Sequence, residues 1–334
     1  MKAIAPGKLI LSGEHSVVYG RPALAMAIDL NAQSIVTAAT DSRICIDLPD
    51  LSERNSYTLR ALRAFKGRVK KNYHLFLNGE LGIRDVLHKP IDLLEFGFII
   101  MLDGLHLKLN KGLNLQMQST IPIGCGLGSS AATLLSSLRA VGHYFRVDFK
   151  PEWYYEYSLE AERMQHGHPS GVDSYISLHG GCALFRDGKA EQIPLPRMPI
   201  HLVNTGTPES STGECVEKVR TRYAESGIWS EFESVTVALQ DAVTVNNHEA
   251  ISGMIRENQR LLNEIEVVPE KVQRFITDLE KEEVSAKICG AGSIRGDAGG
   301  IVLVCSEQAP VSLCENYGYT VMTVRGDPLG TRIV

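Results

Sequence analysis

The amino-acid sequence predicts a two-domain α+β protein. Its 334 residues are enough for one large or two medium domains. Strand-like and helix-like patterns are mixed in both halves of the chain, which favours an α+β architecture. The stretch PLPRMP, residues 194–199, interrupts these patterns with three prolines. We therefore predict an N-terminal domain over 1–197 and a C-terminal domain over 198–334.

The first half of the chain reads mainly as strands followed by helices. Four strand-like stretches open it, namely GKLILSG, PALAMAIDL, SIVTAAT and RICIDLP, separated by Gly, Pro and Asp. Residues 52–90 are mixed and basic, with only a weak helical pattern. The apolar run 90–109 predicts a buried helix, and the apolar–polar alternation over 112–120 predicts a half-buried strand. A glycine-rich loop and a helix follow, so the local order is strand, glycine loop, helix.

The second half continues the mixed pattern. A helix is predicted over 151–167, and a short helix, a double glycine and a strand come after it. Beyond the boundary, a strand with the sequence IHLVNTG precedes helical patterns from about 213 to 282. Three strand-like stretches, SAKICGAG, GGIVLVC and YTVMTV, are expected at the end.

Composition and charge exclude several classes of function. The net charge is −5 and no basic block indicates nucleic-acid binding. The longest apolar run, residues 96–102, is too short to span a bilayer, and the start does not resemble a signal peptide. Seven cysteines occur without CxxC pairs, which favours reduced thiols over a disulfide framework or zinc site. We expect a cytoplasmic protein that binds neither nucleic acid nor a membrane.

The stretch PIGCGLGSSAAT, residues 122–133, is the strongest local signal for ligand binding. Its glycines allow close approach to the backbone, and free N–H groups at a helix N-terminus attract anions. A glycine-rich turn capped by Ser129 and Ser130 explains the pattern equally well. The stretch is not a P-loop, because no lysine stands at the GK[ST] position, and its glycine spacing does not fit a Rossmann fingerprint.

Three further stretches carry ionisable residues or glycines. Lys8, Glu14 and His15 flank a short apolar strand, an arrangement that solvated strand ends would also explain. Residues 160–174 hold several carboxylates and two histidines, but a zinc site is disfavoured because His166 and His168 straddle a helix-ending glycine. A second glycine-rich loop occupies residues 287–300. Each stretch alone has an ordinary structural explanation, whereas their occurrence in this order is harder to dismiss.

The stretches together resemble the three motifs of the GHMP small-molecule kinases. These are APGKLILSGEHSVVYGRPALAMAID, PIGCGLGSSAA and KICGAG; the first of them and ERMQHGHPSGVDS are similar to the mevalonate kinase branch. The resemblance implies the two-domain GHMP kinase fold, with an N-terminal ribosomal-protein-S5-like domain and a C-terminal ferredoxin-like domain. It implies ATP-dependent phosphorylation of the primary hydroxyl of mevalonate, in isoprenoid precursor synthesis. It also implies ATP as co-substrate and Mg²⁺ as cofactor, and it suggests a homodimer.

The resemblance further implies roles for individual residues. Asp173 matches the general base, and Lys8 beside it would help to lower the pKa of the substrate hydroxyl. Ser130 and Glu162 match the Mg²⁺ ligands. Near the acceptor the matching residues are His15, Glu14 and Thr212. The phosphate-binding loop would comprise Gly124, Gly126, Leu127, Gly128, Ser129, Ser130 and Ala131, and the third-motif loop Gly290, Ala291 and Gly292.

The third motif departs from the family pattern, because residues 293–298 separate its first glycines from Gly299 and Gly300. We expect residues 293–298 to bulge away from bound phosphates, and Gly290 and Gly292 to lie close to them. One alternative is a GHMP kinase acting on phosphomevalonate or a sugar, although the motif residues include no spare cluster of Lys or Arg for an extra phosphate. Another is an inactive nucleotide-binding member, which the intact motif residues argue against.

Overall fold

The protein folds into two β-sheets with helices packed around them. The computed structural model describes residues 1–186 and 188–334. The strands are β1 (Lys2–Ser12), β2 (Ala23–Ala38), β3 (Ile44–Leu48), β4 (Glu53–Tyr57), β5 (Leu113–Ser119), β6 (Cys182–Arg186), β7 (Lys189–Ile193), β8 (Ile200–Asn204), β9 (Ser285–Ile288), β10 (Ile301–Cys305), β11 (Thr320–Val324) and β12 (Arg332–Ile333). The helices are α1 (Leu59–Leu77), α2 (Pro90–Gly104), α3 (Ser129–Tyr144), α4 (Pro151–His166), α5 (Val172–His179), α6 (Thr212–Tyr223), α7 (Ile228–Thr244), α8 (His248–Glu264), α9 (Glu270–Lys281) and α10 (Val311–Tyr317).

The larger sheet contains the strands of the first half and one strand from the end of the chain. Its main order is β12-β1-β2-β5-β3-β4, and β6 and β7 extend it from the N-terminal half of β2. All neighbours are antiparallel except β3 and β5, which are parallel. In β1 the register shifts between Pro6 and Gly7, so this strand bends where it leads into Lys8.

The smaller sheet has the order β11-β8-β10-β9, with antiparallel neighbours throughout. Successive side chains of a strand point to opposite faces. Accordingly, Leu202 and Leu303 join the core that also contains Leu9 of the larger sheet, whereas Val203 and Val302 join a second core under α7, α8 and α9. The first of these cores therefore contains residues of both sheets.

Helix α3 connects the glycine loop to this core. It packs on β1 and β2, and α2 lies beside it. The approach of α2 is close, because a Cβ atom added at Gly97 would lie 2.2 Å from Leu134 Cδ1. The buried helix predicted from the apolar run is thus present as α2, and its close packing against α3 restricts the orientation of α3.

The structure agrees with most of the predicted elements and differs at several places. The α+β class is confirmed, and the predicted boundary falls between β7 and β8. The second and third predicted strands form the single 16-residue strand β2, which pairs with β6 at one end and β5 at the other. Residues 52–90 contain β4 and the regular helix α1. Strand β12 pairs with β1 although it follows the smaller sheet in sequence.

Two further observations bear on the class of protein. In the part of the chain that the structure describes, no helix has both the length and the apolar character needed to cross a membrane. All seven cysteines are buried as free thiols.

Candidate functional site

The glycine loop has the conformation that its residues predicted. It joins β5 to α3, and Gly124, Gly126 and Gly128 have φ values of 73°, 77° and 70°, which disfavour any side chain. Gly128 is the residue before the first turn of α3, and no acidic side chain lies in that turn. The first N–H groups of α3 are therefore oriented towards an anion placed at the loop.

Lys8 lies against this loop and forms an ion pair with Asp173. The Lys8 backbone N–H donates to the Leu127 carbonyl at 2.9 Å, and a Cβ atom at Gly128 would lie 2.7 Å from Lys8 Cγ. Lys8 Nζ lies 3.1 Å from Asp173 Oδ1, and the exposed fractions of the two side chains are 5% and 34%. The lysine is thus fixed inside the protein while the carboxylate stays accessible.

Glu162 of α4 lies beside the pair and is almost completely buried. Its Oε1 accepts a hydrogen bond from Ser130 Oγ at 3.1 Å, and its Oε2 accepts one from Ser174 Oγ at 3.1 Å. Burial, and then the neighbouring charge of Asp173, raise the Glu162 pKa to about 7, although the two serines and Lys8 lower it. Lys8 thus pairs directly with Asp173, and its charge also acts on Glu162.

The oxygen atoms of Glu162 and Ser130 fit a hard divalent cation bound together with phosphates. Mg²⁺ is usually held by one or two carboxylates, with substrate phosphates and waters completing its shell. The carboxylate of Glu162 and the hydroxyl of Ser130 provide oxygen ligands next to the N-terminus of α3, and a bound cation would stabilise the ionised form of Glu162 against the cost of burial. Among the described residues, no group of three or more His, Cys, Asp and Glu side chains could hold a metal by itself.

The end of β1 meets the third-motif loop through His15. The His15 backbone has φ 60°, and its Nε2 lies 3.1 Å from the carbonyl oxygen of Ala291. Burial lowers the His15 pKa to about 4, so the imidazole is neutral at physiological pH and donates Nε2–H to that carbonyl. His15 Nδ1 is buried without a partner among the described residues and is left as an acceptor.

Glu14, next to His15, forms a buried ion pair. Its side chain is buried and forms an ion pair with Lys287 of β9, and Lys287 Nζ also donates to the Ile10 carbonyl at 3.4 Å. That Glu14 binds the substrate stays a prediction; in the structure its carboxylate connects β1 to the smaller sheet through Lys287. A sequence cannot show this because the two partners are 273 residues apart.

A groove of about 300 Å³ separates the glycine loop from the third motif. It is lined by Gly124–Gly126, Ser210–Thr212 and Ala291–Gly292. The two loops approach closely, since a Cβ atom at Gly126 would lie 3.3 Å from Gly290 Cα. Thr212 begins α6, whose N-terminus is capped by Ser211. Arg84 also lines the groove.

The insertion in the third motif does not bulge outward over its whole length. Arg295 is exposed and forms an ion pair with Glu214 at 2.7 Å. Ser293, however, is buried, accepts a hydrogen bond from the Ser210 backbone N–H and donates one to the Arg295 carbonyl. The prediction is corrected for Ser293, which turns inward because its hydroxyl satisfies buried backbone groups at the start of α6.

The structure thus brings most of the predicted residues into one region. Lys8, Ser130, Glu162 and Asp173 form a single cluster, and the glycine loops face each other. Sequence analysis missed Ser174, Lys287 and Arg84. Ser174 adjoins Asp173, and Lys287 opens the KICGAG stretch, so their positions in the motifs were an available signal. Arg84 lies in the segment that showed no clear pattern.

Comparison with known proteins agrees with this geometry. The GHMP kinases N terminal domain family matches residues 97–181. Over 298 residues the chain is 31% identical to a mevalonate kinase of Archaeoglobus fulgidus, an alignment that covers 87% of this chain and 89% of the relative. A mevalonate kinase of Pyrococcus furiosus is 29% identical over 304 residues, with 87% of this chain and 86% of the relative covered.

A solved structure shows the same fold. The crystal structure of the Methanococcus jannaschii mevalonate kinase superimposes with a TM-score of 0.81 and 23% identity, covering 98% of this chain and 98% of that one. At this identity the likeness concerns the fold alone. The arrangement of the two sheets is thus shared with a protein of the same family as the sequence relatives.

Proposed function

The chain belongs to the mevalonate kinase group of the GHMP kinase family, and we propose that it transfers the γ-phosphoryl group of ATP to the primary hydroxyl of mevalonate. The products are 5-phosphomevalonate and ADP. We propose a cytoplasmic location as well, which is consistent with seven buried free thiols. The homodimer that the resemblance suggests stays a prediction.

The observation that carries the proposal is the Lys8–Asp173 pair at the glycine loop. A general base has to reach the proton it removes, and Asp173 is the partner with one third of its side chain exposed. Lys8 is fixed by burial and by its backbone bond to Leu127, so it holds the carboxylate in one orientation. Phosphoryl transfer requires this kind of positioning more than covalent catalysis.

The residues then act in the following way. Asp173 accepts the hydroxyl proton as the substrate oxygen attacks the γ-phosphorus, and the bond to the β-phosphate oxygen breaks to release ADP. Lys8 stabilises the negative charge that develops on the attacking oxygen. The N–H groups of residues 126–130 bind the phosphates at the N-terminus of α3. We propose that Ser130 and Glu162 hold Mg²⁺, which when bound neutralises phosphate charge.

The choice of acceptor follows from the charges near the base. His15 is neutral and offers Nδ1 as a hydrogen-bond acceptor for a hydroxyl group. Lys8 is already paired with Asp173, so it cannot also compensate a second phosphate at the acceptor position. A buried charge without a partner is costly, and this disfavours phosphomevalonate. We propose that mevalonate is preferred over phosphomevalonate and sugars.

A side-by-side assay tests the function. ADP formation is measured with mevalonate, phosphomevalonate, galactose and homoserine at equal concentration, with Asp173→Asn as the matched inactive control. We expect mevalonate to give the fastest turnover. Faster turnover with another acceptor would refute the substrate and leave the phosphate and cation assignments standing. ADP release with none of them would favour an inactive nucleotide-binding member.

A further inference from the structure

Arg84 is a positively charged residue of the groove lining. It belongs to a short 3₁₀ helix, Ile83–Asp85, between α1 and α2. The residue is exposed and lines the groove together with Gly124, Gly126 and Ser210–Thr212. Among the described residues it forms no ion pair and no hydrogen bond within the protein. The proposed reaction gives Arg84 no role so far.

The charges around the groove show why a cation is needed there. Of the described residues lining it, two are charged, Arg84 and Glu209, and they do not form an ion pair with each other. Glu209 leans towards the third-motif loop, since a Cβ atom at Gly296 would lie 2.2 Å from Glu209 Oε1. In the neighbouring cluster Lys8 is paired with Asp173. Arg84 is therefore the cation of this region that the protein leaves for a ligand.

We propose that Arg84 binds the terminal phosphates of the nucleotide in the groove that it lines together with the start of α6. This inference rests on the proposed kinase function and assigns the residue that completes its phosphate site. A guanidinium stays charged at every relevant pH and donates two parallel N–H bonds to phosphate oxygens. It complements the backbone N–H groups of the glycine loop, which orient phosphates but carry no net charge. The segment 78–90 thereby becomes part of the active site.

Direct binding of nucleotides tests the proposal without any acceptor. Calorimetric titrations with ATP and with AMP are compared for the parent protein, Arg84→Gln and Arg84→Lys. AMP has the same base and ribose but lacks the β- and γ-phosphates. We expect Arg84→Gln to weaken ATP binding by about 10-fold or more while AMP binding changes less than about twofold. Arg84→Lys keeps the charge but loses the paired donors, so an intermediate loss is expected.

Two matched controls separate a contact from a general disturbance. Arg60→Gln removes the same charge from the exposed face of α1, away from the groove, and is expected to leave both affinities unchanged. Glu209→Gln neutralises the opposite charge in the groove and should strengthen ATP binding slightly or leave it unchanged. Equal losses for ATP and AMP in Arg84→Gln, or unchanged ATP binding, would overturn the proposal.

Turnover provides a second readout. If the protein phosphorylates mevalonate, Arg84→Gln should lower kcat/KM for ATP by about 10²-fold and leave KM for mevalonate within about threefold. A loss confined to the KM of the acceptor would place Arg84 on the acceptor side and refute the nucleotide assignment. Should the protein act on no tested acceptor, the titrations still decide the role of Arg84 independently of the proposed reaction.

Discussion

The two sides of the site present different chemical groups. On the side of the larger sheet, Lys8, Glu162 and Asp173 bring three ionisable side chains together around the N-terminus of α3. On the side of the smaller sheet, the third-motif loop presents mainly backbone and glycine. Beside it His15 is neutral, Glu14 and Lys287 form a buried ion pair, and Arg295 pairs with Glu214 at the surface.

This difference separates residues that are proposed to take part in the reaction from residues that stabilise the fold. Charges that are partly exposed, such as that of Asp173, can change partners during a reaction, whereas the fully buried Glu14–Lys287 pair cannot do so without a large desolvation cost. Substitutions on the first side should therefore change turnover and metal dependence. Those on the second should change stability and its pH dependence, and at His15 also the binding of the acceptor.

Asp173→Asn should lower kcat by about 10²–10⁴-fold, because the amide cannot accept the hydroxyl proton. Nucleotide affinity and the free energy of unfolding should change little, because the asparagine oxygen can still accept a hydrogen bond from Lys8 and the carboxylate of Glu162 remains near this lysine. Steady-state kinetics and a nucleotide titration measure both. Near-normal turnover would remove Asp173 from the mechanism.

Lys287→Met should lower the free energy of unfolding by about 3–5 kcal/mol, because it leaves the Glu14 carboxylate buried without a cation. Lys281→Met is the matched control, since Lys281 pairs with Asp278 on the surface and its loss should cost less than about 1 kcal/mol. Denaturant unfolding measures the two values. Equal small losses in both variants would show that the buried pair does not support the second side.

The buried His15 should make stability depend on pH. Its folded pKa of about 4 lies below the unfolded value near 6.5, so the unfolded state binds the proton first as the pH falls. The contribution of this group to the free energy of unfolding is complete above pH 6.5. It is lost progressively towards pH 4, by about 3 kcal/mol. His15→Asn tolerates the positive φ and should lose less stability over that interval. Parallel pH curves for the two proteins would contradict the assigned protonation.

Glu162→Gln and Ser130→Ala should each raise the Mg²⁺ concentration that gives half-maximal rate, by about 10-fold, because each removes an oxygen ligand or its charge. Ser174→Ala is the matched control, since Ser174 donates to the other carboxylate oxygen and leaves the loop hydroxyl in place. Its effect on the Mg²⁺ dependence should be smaller. Curves for the first two variants that overlay the parent curve would refute the metal assignment.

Much of the fold follows from local pattern. The apolar run before the glycine loop predicted α2, and the alternation over 112–120 predicted β5 to within a residue at each end, because burial imposes those periods on the sequence. Strand β12 was missed since two residues cannot show a period. Helix α1 was only weakly indicated, as its basic face obscures the few apolar positions that pack.

The site was predictable where motif residues act within their own loop. The glycines of the loop before α3 have positive φ, and this requirement is visible in the sequence as glycine itself. Contacts between distant segments were not predictable. Lys287 meets Glu14 from the other sheet, and Arg84 reaches the groove from a segment without periodicity, so only the tertiary fold brings them to the site.

The pairing of β12 with β1 determines how the protein can be divided. The chain crosses from the first sheet to the second after β7 and then returns, so that Ala3 is paired with Ile333 and the Val334 N–H donates to the Lys2 carbonyl. A fragment ending at residue 197 would leave one edge of β1 open to other strands. That strand carries Lys8 in its interior. Separate expression of the two domains should therefore yield an aggregating first half, and splitting the gene at the proline-rich boundary would not isolate a working catalytic unit.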